Sequence, residues 1–138
     1  MNKPKIIAGI LAAMFLMGCE QAKDFHYYIE NSTGNKLNVF VEYSISARGK
    51  READTLNILP GEKELVFSHS GLGGFYTGAI EQIRFSGRDT LKQEWRNRSE
   101  SQINKHFFRR NSWKLLHRDD NSEHYLFNVK PTDLKIDS

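Results

Sequence analysis

The sequence of 138 residues has a single cysteine, Cys19, and three prolines. One cysteine excludes an intramolecular disulfide and a zinc site made of several thiolates. The longest apolar run, residues 6–17, has 12 residues, whereas a membrane-spanning helix needs about 20. The domain must therefore be stabilised by an ordinary apolar core.

The cysteine ends the segment Leu16-Met17-Gly18-Cys19, which has the form of a lipobox. Lys3 and Lys5 precede the apolar run. A charged start, a short apolar stretch and a small residue before the cleavage point are typical of an exported signal sequence. We predict that residues 1–18 are a signal peptide and that the cysteine carries lipid; an ordinary signal peptide with an incidental cysteine is the alternative. Residues 19–24 would form the lipidated tether.

Positive charge is concentrated in one stretch of the chain. Removing residues 1–18 removes two lysines and no acid, so the net charge of +3 becomes +1. Residues 84–118 contain ten Lys or Arg and three acids, a net charge of +7, and the segments on either side are each −3. Such a cluster attracts phosphate-rich lipopolysaccharide, anionic headgroups or acidic partners; a solvated sheet face neutralised by its neighbours is the alternative. We expect no nucleic acid partner, because an exported protein rarely meets one.

Alternating apolar and polar residues predict β-strands from residue 25 onward. Residues 37–45 place Leu, Val, Val, Tyr and Ile in one phase, and Phe40 with polar residues in the other. This pattern is the signature of a half-buried strand. Residues 25–30 predict a second strand, and the Asn, Ser, Thr and Gly residues of 31–35 favour a turn. We therefore predict that the two strands form an antiparallel hairpin.

Turn-forming residues separate the remaining strand-like segments. The predicted strands are residues 54–59, 65–68, 79–86, 91–95, 103–108, 113–117 and 124–129. Leu59-Pro60-Gly61-Glu62 fits a type II turn, and a helical turn over residues 99–108 is an alternative to the strand there. The spacing predicts an all-β fold, a sandwich or a barrel, and we favour an antiparallel β-sandwich of immunoglobulin-like or similar form with about eight strands. The sandwich is expected to span residues 25–131, with a polar tail over residues 132–138.

Three groups of side chains are candidates for partner binding. They are Leu72, Phe75 and Tyr76 in a glycine-rich loop predicted over residues 69–78; Arg109, Arg110 and Trp113; and the outward-facing Arg84, Lys92 and Arg96. Large apolar groups in an exposed loop usually fold back or meet a partner, and aromatic rings beside cations suit stacking on sugars or cation–π contacts. The alternatives are a loop folded over one end of the sandwich, and a hairpin tip whose aromatic residues partly enter the core.

No residue pattern predicts catalysis or a cofactor. None of the histidines has the local spacing of a known site; they are His26, His69, His106, His117 and His124. Asp119-Asp120 with His124 is nearest to a metal-ligand cluster, but it lies in a predicted turn where such residues are common. His69 lies between two serines without the elbow of a serine hydrolase, and Gly71-x-Gly73-Gly74 lacks the dinucleotide fingerprint. We expect no catalytic, cofactor-binding or metal-binding residues.

Several segments occur together in one known group of proteins. They are the lipobox, Tyr28 to Gly34 before a long alternating strand, the Leu59 to Glu62 turn, the hairpin from Ile83 to Leu91, and Tyr125 to Val129 before Thr132-Asp133-Leu134. In these segments the chain resembles the small lipoproteins of Bacteroidetes-type bacteria. The resemblance implies a β-sandwich held at the outer membrane and supplies no site residues. It also implies that Thr55 and Thr90, each within an Asp-Thr-Leu segment, match the short O-glycosylation sites of such bacteria.

The expected function is that of a non-enzymatic, lipid-anchored protein of the cell envelope. Lipid on Cys19 would hold it at a membrane, and the sandwich would face a partner protein, glycan or lipid. Glu20 follows the cysteine in place of the aspartate that commonly retains lipoproteins at the inner membrane, which favours the outer membrane. The alternatives are a structural accessory of a secretion or surface complex, a hydrolase, and an inhibitor of a lytic enzyme.

Replacement of the cysteine should release the protein from the membrane. We expect Cys19→Ala to move from the membrane pellet to the soluble fraction of the producing bacterium, because acyl chains contribute roughly 0.8 kcal/mol per buried CH₂ to anchoring. Gly18→Ala, which keeps a small residue before the cleavage point, is the control and should stay in the pellet. Sedimentation of Cys19→Ala with the membranes would contradict the anchoring prediction.

Overall fold

The structure is a computed structural model and describes residues 22–44, 52–87, 91–97 and 105–136. Within these residues the chain forms nine strands: β1 (Lys23–Asn31), β2 (Leu37–Tyr43), β3 (Ala53–Ile58), β4 (Lys63–Gly71), β5 (Ile80–Ser86), β6 (Leu91–Arg96), β7 (Lys114–Arg118), β8 (Ser122–Val129) and β9 (Lys135–Ile136). Short 3₁₀ turns cover Arg110–Ser112 and Pro131–Asp133. No helix in this part of the chain is long and apolar enough to cross a membrane.

The strands form two sheets that pack face to face. The four-stranded sheet has the order β4-β1-β8-β7, and the five-stranded sheet has the order β3-β2-β5-β6-β9. Neighbouring strands are antiparallel except β1 and β8, which are parallel. Both sheets are open, so the all-β sandwich prediction is confirmed and the fold is not a closed barrel.

The core lies between the sheets and is rich in aromatic side chains. The alternation of β2 places Leu37, Val39 and Val41 in the core, as predicted, and each is fully buried. Phe127 of β8 meets the facing sheet, with ring centroids 6.2 Å from Phe85 and 5.5 Å from Trp95. Aromatic pairs in such geometries contribute about 0.5–1.5 kcal/mol beyond the burial of their area.

The predicted hairpin of the first two strands is wrong, because β1 and β2 belong to different sheets. Asn31, at the end of β1, is fully buried. Its Nδ2 donates hydrogen bonds to the carbonyl oxygens of Ile58 at 2.8 Å and Asn35 at 2.6 Å, and its Oδ1 accepts one from the Thr33 N–H at 2.9 Å. These bonds stabilise the connection between β1 and β2, which crosses from one sheet to the other. Both sides of β1 are paired, with β4 and β8, so neither is open to β2.

The second predicted turn is confirmed in its main features. The Glu62 N–H donates to the Leu59 carbonyl oxygen at 3.0 Å, and Gly61 has φ of +79°. A type II turn requires such a positive φ at its third position, which glycine adopts without steric cost. The turn joins β3 to β4 and therefore links the two sheets.

Three segment boundaries differ from the sequence prediction. β4 continues to Gly71, so the first residues of the predicted glycine-rich loop are part of a strand. Residues 105–108 form a turn and not a strand, closed by a bond from the Arg109 N–H to the His106 carbonyl oxygen. Beyond Pro131, in the predicted polar tail, Leu134 enters the core and β9 pairs with β6. The lipobox, Ile45 and most of the predicted connections 46–52, 87–89 and 97–102 lie outside the described residues.

Loss of the Asn31 side chain should destabilise the domain. We expect Asn31→Ala to lower the free energy of unfolding by about 2 kcal/mol, because the buried Ile58 carbonyl oxygen loses its side-chain donor. Asn57→Ala is the control, since Asn57 is exposed on β3, and its effect should stay within about 0.5 kcal/mol. Urea denaturation measures both, and equal destabilisation of the two variants would contradict the role given to Asn31.

Candidate ligand-binding face

The outward face of the five-stranded sheet carries a row of side chains that crosses four strands. Phe40 of β2 lies opposite Thr55 of β3 and Arg84 of β5, and Arg84 lies opposite Glu94 of β6. The Arg84 guanidinium carbon is 4.3 Å from the centroid of the Phe40 ring. This cation–π contact is worth about 0.5–1 kcal/mol at an exposed site, and it places the guanidinium over the Phe40 ring.

The next row is polar and ends in two lysines. Asn38 of β2 lies opposite Ser86 of β5, Ser86 lies opposite Lys92 of β6, and Lys92 lies opposite Lys135 of β9. Amide and hydroxyl groups both donate and accept hydrogen bonds, whereas ammonium groups only donate. The row therefore changes from neutral to cationic along its length.

These two rows border one shallow groove of about 670 Å³. We call it the basic groove, and its lining residues are Asn38, Phe40, Thr55, Arg84, Phe85, Ser86, Lys92, Gln93, Glu94 and Lys135. Three of the lining side chains are cations and one is a carboxylate. The carboxylate, Glu94, is engaged at 3.1 Å by Arg96, so the groove keeps an excess of positive charge.

The sequence identified only part of this groove. Its prediction that Arg84, Lys92 and Arg96 face outward is confirmed, since all three are exposed. Phe40 was missed, although a large apolar residue in the polar phase of an alternating strand is a usable signal. Lys135 was missed because the tail was not expected to pair with β6. Thr55, which matches a glycosylation segment, is exposed at the groove; Thr90 lies outside the described residues.

The predicted glycine-rich loop is divided between solvent and core. Leu72 is 67 % exposed and Tyr76 is 55 % exposed, so both are available to a partner. Phe75 packs inward, with its ring 5.4 Å from Tyr27 and 5.3 Å from Tyr125 in edge-on contacts. The alternative in which the loop folds over one end of the sandwich therefore holds for Phe75 but not for Leu72 and Tyr76.

The second group of candidates, Arg109, Arg110 and Trp113, is also divided between the core and the exposed surface. Trp113 is 4 % exposed, and its Nε1 donates to the Phe107 carbonyl oxygen at 2.6 Å. It is a core residue, with its ring centroid 5.0 Å from that of Phe107 and 5.3 Å from that of Phe127. Arg109 and Arg110 are exposed. The Arg110 guanidinium lies 4.7 Å from the Tyr125 ring centroid, so it caps the core at the end where the loop folds back.

A hydrogen-bonded chain connects this loop to β1 and β4. The Tyr76 N–H donates to the Tyr27 hydroxyl at 2.9 Å, and that hydroxyl lies 3.0 Å from His69 Nε2. Burial raises the pKa of Tyr27 to about 12. Burial also lowers the pKa of His69, although a hydrogen bond with the Tyr76 backbone opposes that effect. The neutral imidazole therefore suits this site.

The acidic turn before β8 is held by its own backbone. Asp119 Oδ1 accepts hydrogen bonds from the N–H groups of Asn121 and Ser122, both at 2.7 Å, and Asp119 Oδ2 lies 2.9 Å from His117 Nε2. The hydrogen bond with His117 and the two N–H donors lower the pKa of Asp119. Within the described ranges, no three side chains of metal-ligating types converge on one point.

Comparison of the chain with models of known protein families, with curated proteins and with solved structures finds no significant match.

Stability should fall as the solution becomes mildly acidic. Burial lowers the pKa of His69, His106 and His124 below the ordinary value of 6.5. Below that value the unfolded chain binds more protons than the folded chain, so the stabilisation present above about pH 6.5 is lost as the pH falls. We expect a lower melting temperature at about pH 5 than at about pH 8.

His69→Gln tests the assignment of this effect. It removes one titrating group, so the fall in melting temperature should be smaller than in the parent protein. Taking the difference between the two pH values within each protein cancels any effect of the substitution that is independent of pH. An unchanged fall would contradict the role of His69.

Proposed function

We propose that this chain is a lipid-anchored, non-enzymatic protein of the cell envelope whose basic groove binds an anionic glycan. The observation that carries the proposal is the convergence of Arg84, Lys92 and Lys135 on one groove that also contains a half-buried aromatic ring. Fixed cations attract sulfate, phosphate or carboxylate groups, and charge-assisted hydrogen bonds are roughly twice as strong as neutral ones.

The neutral lining favours a sugar chain over a lipid headgroup. Asn38, Thr55 and Ser86 offer amide and hydroxyl groups of the kind that pair with sugar hydroxyls. Phe40 supplies a ring beside the cations. A headgroup needs only the charges, whereas a glycan uses the charges together with the neutral groups and the ring.

A lipid anchor would allow a shallow groove to bind a glycan of the same envelope. A lipid on Cys19 confines the domain to one membrane, and confinement raises its effective concentration toward glycans held in the same envelope. Several weak contacts along a polymer then combine, and no deep pocket is required.

A second candidate function, attachment to an envelope protein complex, is favoured by the loop after β4. Leu72 and Tyr76 are large and more than half exposed, and exposed apolar surface often marks protein contacts. This function predicts stable co-purification with a large envelope protein and little affinity for free glycans.

Binding of dextran sulfate to the full chain in an uncharged detergent tests the groove. We expect binding of dextran sulfate and none of uncharged dextran. Lys92→Gln combined with Lys135→Gln should weaken binding about tenfold, equivalent to about 1.4 kcal/mol. The matched control combines Lys63→Gln with Lys114→Gln, which removes the same charge from exposed positions on the other sheet and should have a smaller effect.

The comparison with membranes distinguishes a glycan from a headgroup. Vesicles of phosphatidylcholine with phosphatidylglycerol present the anionic charge without sugar chains, and vesicles of phosphatidylcholine alone measure the binding that the lipid on Cys19 gives without that charge. A gain in binding from phosphatidylglycerol that exceeds the gain of dextran sulfate over uncharged dextran, or an equal loss in both double variants, would contradict a glycan site in the groove.

A further inference from the structure

Three histidines form a continuous row on the outward face of the four-stranded sheet. The pairing of β1 with β8 makes His26 and His124 direct neighbours, and the pairing of β7 with β8 does the same for His117 and His124. The ring centroids of His26 and His124 are 4.6 Å apart, and those of His117 and His124 are 5.7 Å apart. We call these residues the histidine row. It lies on the opposite sheet from the basic groove and is independent of the proposed glycan site.

We propose that the histidine row binds one divalent late transition metal ion, such as Zn²⁺, Ni²⁺ or Cu²⁺. Imidazole nitrogens suit these ions, and zinc–imidazole bonds are about 2.0–2.1 Å long. Directly opposite residues on neighbouring strands have Cβ atoms about 4.5–5.5 Å apart, which lets two imidazoles reach the same ion. His124 is central, because it is the direct neighbour of both other histidines.

In two of the three histidines, one ring nitrogen already contacts a side chain of the kind that orients metal-binding histidines. His117 Nε2 lies 2.9 Å from Asp119 Oδ2, which leaves Nδ1 for an ion. His124 Nδ1 lies 3.3 Å from the Tyr28 hydroxyl, which leaves Nε2. Metal-binding histidines almost always use their second nitrogen in such a bond, and the partner fixes the ring orientation once the metal is bound. Asp119 is a positioning residue here, and it is itself held by two backbone N–H groups.

The surface beside His117 and His124 leaves room for an ion and its water ligands. His117 and His124 border a cavity of about 300 Å³ together with Tyr28, Lys63 and Leu116. β7 is the edge strand, and its register shifts between Leu115 and His117. Such bulges redirect side chains. The Lys63 ammonium opposes a cation here, and the Asp119 carboxylate offsets it.

Binding requires the outer rings to turn. In the structure the imidazoles stack, and among the described residues no three ligand side chains converge on one point. The His117 side chain is 58 % exposed, and His26 is half-buried on the same open face. Rotation of these two side chains toward His124 would replace the ring stack by coordination to the ion.

Calorimetric titration of the full chain with Zn²⁺ tests the site. The protein is prepared in an uncharged detergent, without an affinity tag and with Cys19→Ser, so that no thiol competes for the metal. We expect about one equivalent to bind, and His124→Gln to weaken binding at least about tenfold. Asp119→Asn should weaken it less, and His69→Gln, the control on the inner side of the same sheet, should leave it unchanged. A Cu²⁺ titration followed by NMR should broaden resonances of β1, β7 and β8 first.

A second variant keeps the test decisive if His124→Gln fails to fold. His26→Gln combined with His117→Gln changes only exposed or half-exposed rings and should also weaken binding at least about tenfold. The proposal is overturned if the parent binds no Zn²⁺, if the histidine-row variants bind as well as the parent, or if His69→Gln loses as much affinity as they do.

Discussion

The parallel pairing of β1 with β8 is the constraint on which both surfaces of the four-stranded sheet depend. One register places Tyr27 beside Tyr125 in the core, and His26 beside His124 on the outward face. Because side chains alternate with a period of two, a slip by one residue would move the histidines inward and the tyrosines outward. Burial of the aromatic core therefore fixes the positions of His26 and His124 on the outward face. No contact between the histidines is needed for this.

Polar side chains mark both ends of this pairing. Asn31 lies opposite Val129 at one end, and Glu123 lies opposite Phe25 at the other. Glu123 is 4 % exposed. Burial alone would raise the pKa of its carboxyl group, but hydrogen bonds from Arg118 and Tyr125 outweigh burial and lower it. Most buried polar groups in proteins are paired in this way, because an unpaired one costs free energy.

The sequence predicted burial well and strand pairing poorly, for one physical reason. Alternation is a local property, so the buried phase of β2 and the outward direction of Arg84 were available from neighbouring residues alone. Pairing depends on residues distant in sequence: β1 meets β8 and not β2, and Leu134 reaches the core through β9. The basic groove and the histidine row were hidden for the same reason, because each is assembled from three or more strands.

The two outward faces differ in the chemical groups they carry. The five-stranded sheet presents guanidinium and ammonium groups, which donate hydrogen bonds to anions, whereas the histidine row presents imidazoles, whose ring nitrogens can bind a metal ion. With lipid on Cys19, the four residues that follow it would reach Lys23, at the start of β1, within about 14 Å of the attachment point. The anchor would then hold the domain by the first end of β1. A ligand of the basic groove and a metal ion on the histidine row would therefore reach separate sides of the same anchored domain.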